Sequence, residues 1–173
     1  MNKSFGTIIF LLLIKTITPA QFTRPLFFME HSINKNKIYY ELQLTKDGSI
    51  DPLKPIHAYW IMWEKDSFGK LREEMSGIEK KMAYGFKVGT DSSKKFITIN
   101  LVAFPGRTVT VVQKGNENPR AEVIINGQNA VLEKIFIKTL KDKIFPKVDY
   151  IELFGRNIST GNDCKEKIYA PKK

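Results

Sequence analysis

The stretch AEVIINGQNAVLEKIFI, residues 121–137, carries the clearest folding signal in this sequence. Apolar runs stand on both sides of Asn126 and Gly127. An Asn-Gly pair favours a two-residue type I′ turn, because the twist of that turn matches the twist of the flanking strands. The stretch therefore predicts a β-hairpin.

Apolar residues recur with period two, between turn residues, from Leu26 onward, which is typical of half-buried strands. Eight or nine such strands can be placed along the chain. Their short connections predict an antiparallel meander, since parallel strands require long crossovers. A long meander hides its edges by curling, so we expect an all-β fold: an up-and-down barrel, a strongly curled sheet or a sandwich.

One stretch departs from period two. Leu71, Met75, Ile78 and Met82 recur at helical spacing, with charged residues between them. They predict one short amphipathic helix that ends near Gly85 and covers an end or a face of the sheet.

The first twenty residues have the order of a secretory signal peptide: MNKS, an apolar run over residues 5–14, then KTITPA. The apolar run is shorter than the roughly 20 residues that span a bilayer. We therefore expect cleavage after Ala20, export to the periplasm or the cell exterior, and no transmembrane span in the mature chain. Residues 21–173 then form a single β-rich domain, with a polar tail at 157–173 that is expected to be loosely held.

The chain is basic, with 28 Lys and Arg against 18 Asp and Glu, a formal charge of +10. The lysines are scattered, and no run resembles a nucleic-acid arm. We expect a solvated basic surface with at most a weak attraction to anionic glycans or to a membrane surface, and no nucleic-acid partner.

Sequence motifs for catalysis and for metal binding are absent: no G-x-S-x-G, H-E-x-x-H, phosphate-binding glycine loop or paired cysteines. With two histidines and one cysteine, no metal or other cofactor is expected. Glu30 and Ser32 share one side of a strand while His31 points away, which argues against a catalytic dyad. Cys164 is a lone thiol with no neighbour that favours reactivity.

HAYWIMWE, residues 57–64, holds one histidine, one tyrosine and both tryptophans of the chain. Both faces of this strand are largely apolar, so it is either packed core or the wall of a ligand pocket. The candidate ligand-binding residues are His57, Tyr59, Trp60, Trp63, Tyr84, Arg107 and Tyr150. Asn34 and Asn36 are further candidates, although a turn role suits them better.

Several blocks resemble the bacterial family catalogued as domain of unknown function 4833: HSINKNKIYYEL, PIHAYWI, KKMAYGFKV, INGQNAVLEKIFI and VDYIELFG with GNDCKEKI behind it. The resemblance implies a small, exported single domain with no assigned activity, substrate or cofactor. Within the matching blocks lie Asn34, Asn36, Tyr40, Trp60, Tyr84, Gly85, Phe136 and Gly155. Many relatives carry arginine where this chain has His31, which weakens a catalytic role for that histidine.

Three classes of function remain open. The leading one is a non-catalytic β domain of the cell envelope, which either binds a small ligand or an envelope glycan or has a structural role. The second is a hydrolase of an envelope polymer that uses His57 with a carboxylate such as Asp51 or Glu152. The third is a protein-interaction module that uses an exposed strand edge.

Overall fold

The computed structural model of the protein describes residues 22–81, 84–90, 96–113, 117–140 and 147–170. Across these ranges the architecture is all-β: an open, strongly curled mixed sheet that forms a half-barrel, with one short helix. The expected all-β fold with a strongly curled sheet is therefore confirmed. The predicted signal peptide, residues 1–20, lies outside the described residues.

The elements follow one another along the chain as β1 (Phe22–His31), β2 (Lys37–Leu44), β3 (Ile56–Ile61), β4 (Arg72–Glu74), α1 (Gly77–Lys81), β5 (Phe86–Thr90), β6 (Phe96–Leu101), β7 (Thr108–Val112), β8 (Arg120–Ile125), β9 (Gln128–Leu140), β10 (Lys147–Asn157) and β11 (Asp163–Tyr169). Within the described ranges, no helix is both long and apolar enough to cross a membrane.

β9 joins the two halves of the sheet. Along one edge, residues 130–140 pair with β10. Along the opposite edge, β8 pairs with residues 128–131 and β1 pairs, in parallel, with residues 134–137. The first meander (β1 to β4) and the second meander (β5 to β8) both extend from this edge. The parallel pair makes the sheet mixed, and it is sterically accessible because β2 to β8 form the long connection that it needs.

The hydrophobic core lies between the two meanders. Tyr40 of β2 is fully buried, stacks on Phe27 at 4.6 Å between ring centroids, and meets Phe86 of β5 edge-on at 5.8 Å. Alternate residues of the second meander and β9 complete the core: Ile97, Ile99, Val109, Val111, Ala121, Val123, Ile125, Leu132, Ile135 and Ile137. Burying each large apolar side chain stabilises the fold by about 1.5–3 kcal/mol.

The predicted turn at Asn126 and Gly127 is confirmed. Both residues have positive φ, 49° and 76°, as a type I′ turn requires. Ile125 and Gln128 pair directly across it, so β8 and β9 form the expected hairpin.

The predicted helix is much shorter than its apolar spacing indicates. Within residues 71–81, which the structure describes, only Gly77–Lys81 is helical, and no residue of α1 is buried. Ser76 and Glu79 exchange reciprocal side-chain-to-backbone hydrogen bonds, at 3.3 and 2.7 Å, which start the helix there as a capping box. Residues 72–74 pair with β3 instead, because that edge offers backbone partners to the segment. Met82 lies outside the described residues.

Part of the polar tail forms a strand. Asp163–Tyr169 forms β11, an edge strand antiparallel to β10. Its alternating polar and charged residues suggested a loose segment, but an edge strand needs only one partner and tolerates charged side chains.

Candidate functional site

The strand within HAYWIMWE has two different faces. Ala58 and Trp60 point into the core. His57 and Tyr59 lie on the opposite face of the sheet, called the outer face here. There they pair with Glu41 and Tyr39 of the neighbouring strand β2. Trp63 lies beyond the end of β3, in the loop that leads to β4. The candidate residues of this stretch therefore face three different surroundings.

Trp60, Tyr84 and His31 form an aromatic cluster at one end of the core. The ring of Trp60 lies edge-on to His31 at 5.7 Å and to Tyr84 at 5.2 Å. Trp60 Nε1 donates to Glu79 at 3.1 Å, so the capping carboxylate of α1 also satisfies the indole. Trp60 and Tyr84 therefore both contact the His31 ring at the end of the core.

On the solvent side of His31 lies a pocket of about 500 Å³, the turn pocket. It is formed by the β1–β2 turn, the β3–β4 loop and the middle of β9. Its lining residues are Glu30, His31, Asn34, Lys35, Lys37, Trp63, Ser67 and Phe136. The candidates Trp63 and Asn34 are thus brought together here, and Trp60 and Tyr84 lie directly behind.

Local hydrogen bonds hold the walls of the turn pocket. Asn34 Oδ1 accepts from the backbone N–H of Asn36 at 2.9 Å, which closes the β1–β2 turn. Asn36 is buried, and its Oδ1 accepts from the N–H of Glu64 at 3.0 Å. Asn36 therefore ties the β1–β2 turn to the β3–β4 loop, which confirms a turn role and places it behind the pocket wall.

Trp63 lies against Gly69 of the same loop. Gly69 has φ +65°, and a Cβ there would come within 2.5 Å of the Trp63 ring. A glycine is needed at this position both for its backbone conformation and for the close approach of the indole. The loop thus presents Trp63 in a fixed position.

Glu30 organises the charges of the turn pocket. Its carboxylate contacts Lys37 Nζ at 2.8 Å and Lys134 Nζ at 3.6 Å. Lys37 also lies over the Trp63 ring, 5.8 Å from its centroid. One carboxylate shared by two ammonium groups leaves the region positive, with Lys35 adding a further cation at the rim.

Two residues that line the turn pocket each carry a ring nitrogen without a hydrogen-bond partner. Nδ1 of His31 and Nε1 of Trp63 are both buried and unpaired. An unsatisfied buried polar group costs about 1–3 kcal/mol, so the fold carries an unfavourable contribution at this point. A polar ligand that reaches these nitrogens would remove it.

The stability of the protein should depend on the protonation of His31. Burial lowers the pKa of His31 below its usual 6.5, and Glu64 opposes this shift more weakly. Below pH 6.5 the unfolded chain takes up a proton that the folded protein still excludes, so stability is complete above that pH and falls as the pH drops. We expect the melting temperature of His31→Gln to fall less than that of the wild type between about pH 7.5 and pH 5.5. Equal losses in the variant and the wild type would contradict this assignment.

His57 faces a second cavity, the seam cavity, of about 610 Å³. Edge residues Ile56 and Ala58 of β3 and Phe86 and Val88 of β5 line it, where the two meanders approach without pairing. His57 Nε2 contacts Glu74 Oε1 at 2.8 Å at this cavity.

Neither carboxylate predicted for His57 contacts it. Asp51 accepts from the N–H groups of Leu53 and Lys54 in its own loop, at 2.8 and 3.1 Å. Glu152 lies on β10, bound to Lys165 and Lys167. The partner of His57 is Glu74 because short β4 pairs with β3 beside it.

Tyr59 is buried on the outer face. Its hydroxyl donates to Glu41 Oε1 at 2.6 Å, and Arg72 covers its ring at 4.6 Å. Burial, together with the Glu41 carboxylate, raises the pKa of Tyr59, so it remains a hydrogen-bond donor. Tyr59 therefore packs the sheet and lines neither the turn pocket nor the seam cavity.

Arg107 and Tyr150 lie away from β3. Arg107 forms a bidentate ion pair with Glu166 of β11, at 2.5 and 2.9 Å. Glu166 also accepts from the N–H of Asn126, so the pair ties β11 to the Asn-Gly hairpin. Tyr150 lies on the outer face of β10, with its ring 6.4 Å from Phe136 of the turn pocket.

Several turn-pocket residues were not candidates: Glu30, His31, Lys35, Lys37, Ser67 and Phe136. Glu30 and Phe136 come together only through the parallel register of β1 and β9. No local sequence signal specifies that register, whereas alternation did place Glu30 and His31 on opposite faces. Among the described residues, no group of three His, Cys, Asp or Glu side chains is arranged to hold a metal ion.

Comparison with known proteins gives one match. No curated protein and no solved structure matches this chain. The family model described as Domain of unknown function (DUF4833) matches residues 27–167. This range includes every strand from β2 to β10, together with the β1–β2 turn and the β3–β4 loop that form the turn pocket. The chain therefore belongs to the DUF4833 family.

Proposed function

We propose that this protein is an exported cell-envelope domain that holds a small polar ligand in the turn pocket and does not transform it. The observation that carries the proposal is the pair of unpartnered ring nitrogens, on His31 and Trp63, in residues that line one pocket. The signal-peptide pattern of residues 1–20 supports export.

The lining chemistry favours a sugar-sized ligand. Trp63 and Phe136 supply aromatic surface, and Asn34, Ser67 and Lys37 supply polar groups. Pockets of a few hundred Å³ with aromatic walls and a few polar groups are typical small-molecule sites. The excess of ammonium groups over the Glu30 carboxylate favours a ligand that carries negative charge.

A binding experiment tests the proposal. The purified protein is titrated calorimetrically with neutral monosaccharides, amino sugars and uronic acids. We expect saturable binding of an acidic sugar that weakens by about tenfold or more in Trp63→Ala, since that change removes an aromatic wall. Phe68→Ala is the matched control, because Phe68 belongs to the same loop but is 79% exposed and lies outside the pocket.

Two results would contradict the proposal. The first is an equal loss of affinity in Trp63→Ala and Phe68→Ala. The second is recovery of the ligand as reaction products, with conversion abolished in a folded His57→Ala variant. That second result would favour the hydrolase, for which the 2.8 Å contact between His57 and Glu74 is the relevant geometry.

A further inference from the structure

The outer face carries a row of aromatic and cationic side chains across six strands. Cross-strand pairing places in register Tyr59, Tyr39, Phe28, Lys134, Phe154 and Lys165, on β3, β2, β1, β9, β10 and β11. Paired residues of adjacent strands point to the same face. The rings of Tyr39 and Phe28 stack at 5.5 Å, and Phe28 pairs in register with Lys134, so the row continues from the first meander onto β9.

Lysine ammonium groups lie over the rings of this face. Lys134 Nζ is 4.3 Å from the centroid of Phe154, and Lys165 Nζ is 4.9 Å from it on the other side. Lys167, two residues beyond Lys165 on β11, has its Nζ 4.0 Å from the centroid of the Tyr150 ring. Cation–π contacts of this kind hold each ammonium group in a defined place.

Near the middle of this row, two carboxylates are each shared by two lysines. Glu30 is bound by Lys37 and Lys134, and Glu152 by Lys165 and Lys167, at 3.0 and 3.3 Å. Because these two carboxylates meet four ammonium groups, the part of the face from β1 to β11 around them keeps positive charge after these ion pairs form. The lysines are ordered rather than freely solvated, which lowers the entropy cost of binding an anion.

A third cavity lies beside the turn pocket on the outer face. This hairpin cavity, of about 540 Å³, is lined by Phe28, Glu133, Lys134, Phe154, Gly155, Arg156, Asp163, Cys164 and Lys165. Phe28 is two residues before Glu30 on β1, and Lys134 is two residues before Phe136 on β9. Residues two apart on a strand are separated by about 7 Å, so the two cavities are neighbours, divided by the ion pair of Glu30 with Lys134.

We propose that the outer face binds a linear acidic glycan, with one sugar in the turn pocket and the next in the hairpin cavity. The inference rests on the proposed function of the turn pocket and extends it to a polymer. Ordered lysines match the carboxylates of the glycan, and the rings of Phe28 and Phe154 give its sugars an apolar surface. Glu30 and Glu152 accept hydrogen bonds from sugar hydroxyls, whereas they would repel the closely spaced phosphates of a nucleic acid.

The test compares a uronic acid monomer, its oligomers, neutral dextran oligomers and single-stranded DNA by calorimetry. We expect the oligouronate to bind more tightly than the monomer. In Phe154→Ala, the affinity for the oligouronate should fall about tenfold and the affinity for the monomer should change less than about twofold. Lys134→Gln should weaken the oligouronate further than Lys87→Gln, the control on β5 of the second meander. Added salt should weaken it as well.

The possible failures are distinguishable. If the monomer binds through Trp63 but the oligomer binds no tighter and ignores Phe154→Ala, the polymer inference is overturned and the turn pocket stands. If no uronate binds, both are overturned. If single-stranded DNA binds as tightly and responds to the same variants, the glycan is overturned in favour of a nucleic acid. Unfolding midpoints in urea confirm that Phe154→Ala and Lys134→Gln remain folded.

Discussion

Tyr40→Ala is expected to lower the free energy of unfolding by about 3–5 kcal/mol, the range for truncating a large buried aromatic side chain. Tyr40 is fully buried and stacks on Phe27 within the first meander. Its ring also contacts Phe86, and its hydroxyl donates to the carbonyl of Tyr84 at 3.0 Å. Removing the side chain therefore opens a cavity where the two meanders meet.

Tyr40→Phe separates the hydroxyl from the ring. It keeps the packing and leaves the Tyr84 carbonyl without its donor, which should cost about 1–3 kcal/mol. Urea denaturation of both variants measures these losses, with Phe68→Ala as an exposed aromatic control expected to change stability by less than about 0.5 kcal/mol. A loss in Tyr40→Ala no larger than in this control would show that the meanders do not depend on the contact.

The Tyr40 environment also shows what the sequence could predict. Alternation in IYYELQLT puts Tyr40 with Ile38 and Leu42 on an apolar face, and all three are fully buried. Alternation likewise predicts the two faces of β3, and the Asn-Gly pair predicts the β8–β9 hairpin. These features are local, since side-chain direction in a strand and turn chemistry depend on near neighbours.

The candidate site could not be predicted in the same way. The turn pocket requires Glu30 on β1 to lie beside Lys134 and Phe136 on β9, and this depends on one parallel register between distant segments. Alternation decides which side chains face the core, but it leaves open which distant strand is the partner, and a register shift of two residues preserves the same faces. The same reason explains why Glu74, and neither Asp51 nor Glu152, meets His57.

The helix illustrates a competition between local and tertiary preferences. Apolar residues at helical spacing began at Leu71, yet residues 72–74 add a strand to β3 and α1 begins only after Ser76. The exposed edge of β3 offers this segment backbone hydrogen-bond partners. A short helix gains less, because isolated short helices are only marginally stable in water. The capping box at Ser76 and Glu79 then determines where the helix starts.

Gly155→Ala is expected to destabilise the fold by about 1–3 kcal/mol, the cost of inserting a methyl group into a closely packed position. A Cβ at Gly155 would lie 2.3 Å from the carbonyl oxygen of Val131 and 2.8 Å from Cδ1 of Ile125. The register of β9 with β10 shifts between Phe154 and Gly155, and this irregularity brings the two backbones together. Because the nearest atom belongs to the backbone, the clash is relieved only by moving β10 away from β9.

That movement should also alter the outer face, since Gly155 lines the hairpin cavity between Phe154 and Arg156. We therefore expect Gly155→Ala to weaken oligouronate binding together with stability, while monomer binding in the turn pocket is retained. Gly106→Ala is the matched control, because a Cβ there meets open space and its φ is not positive. Urea unfolding and calorimetry of the same two variants measure both effects. Equal stability of Gly155→Ala and Gly106→Ala would mean that β9 and β10 can separate without cost, and the close contact could then not position Phe154 for a ligand.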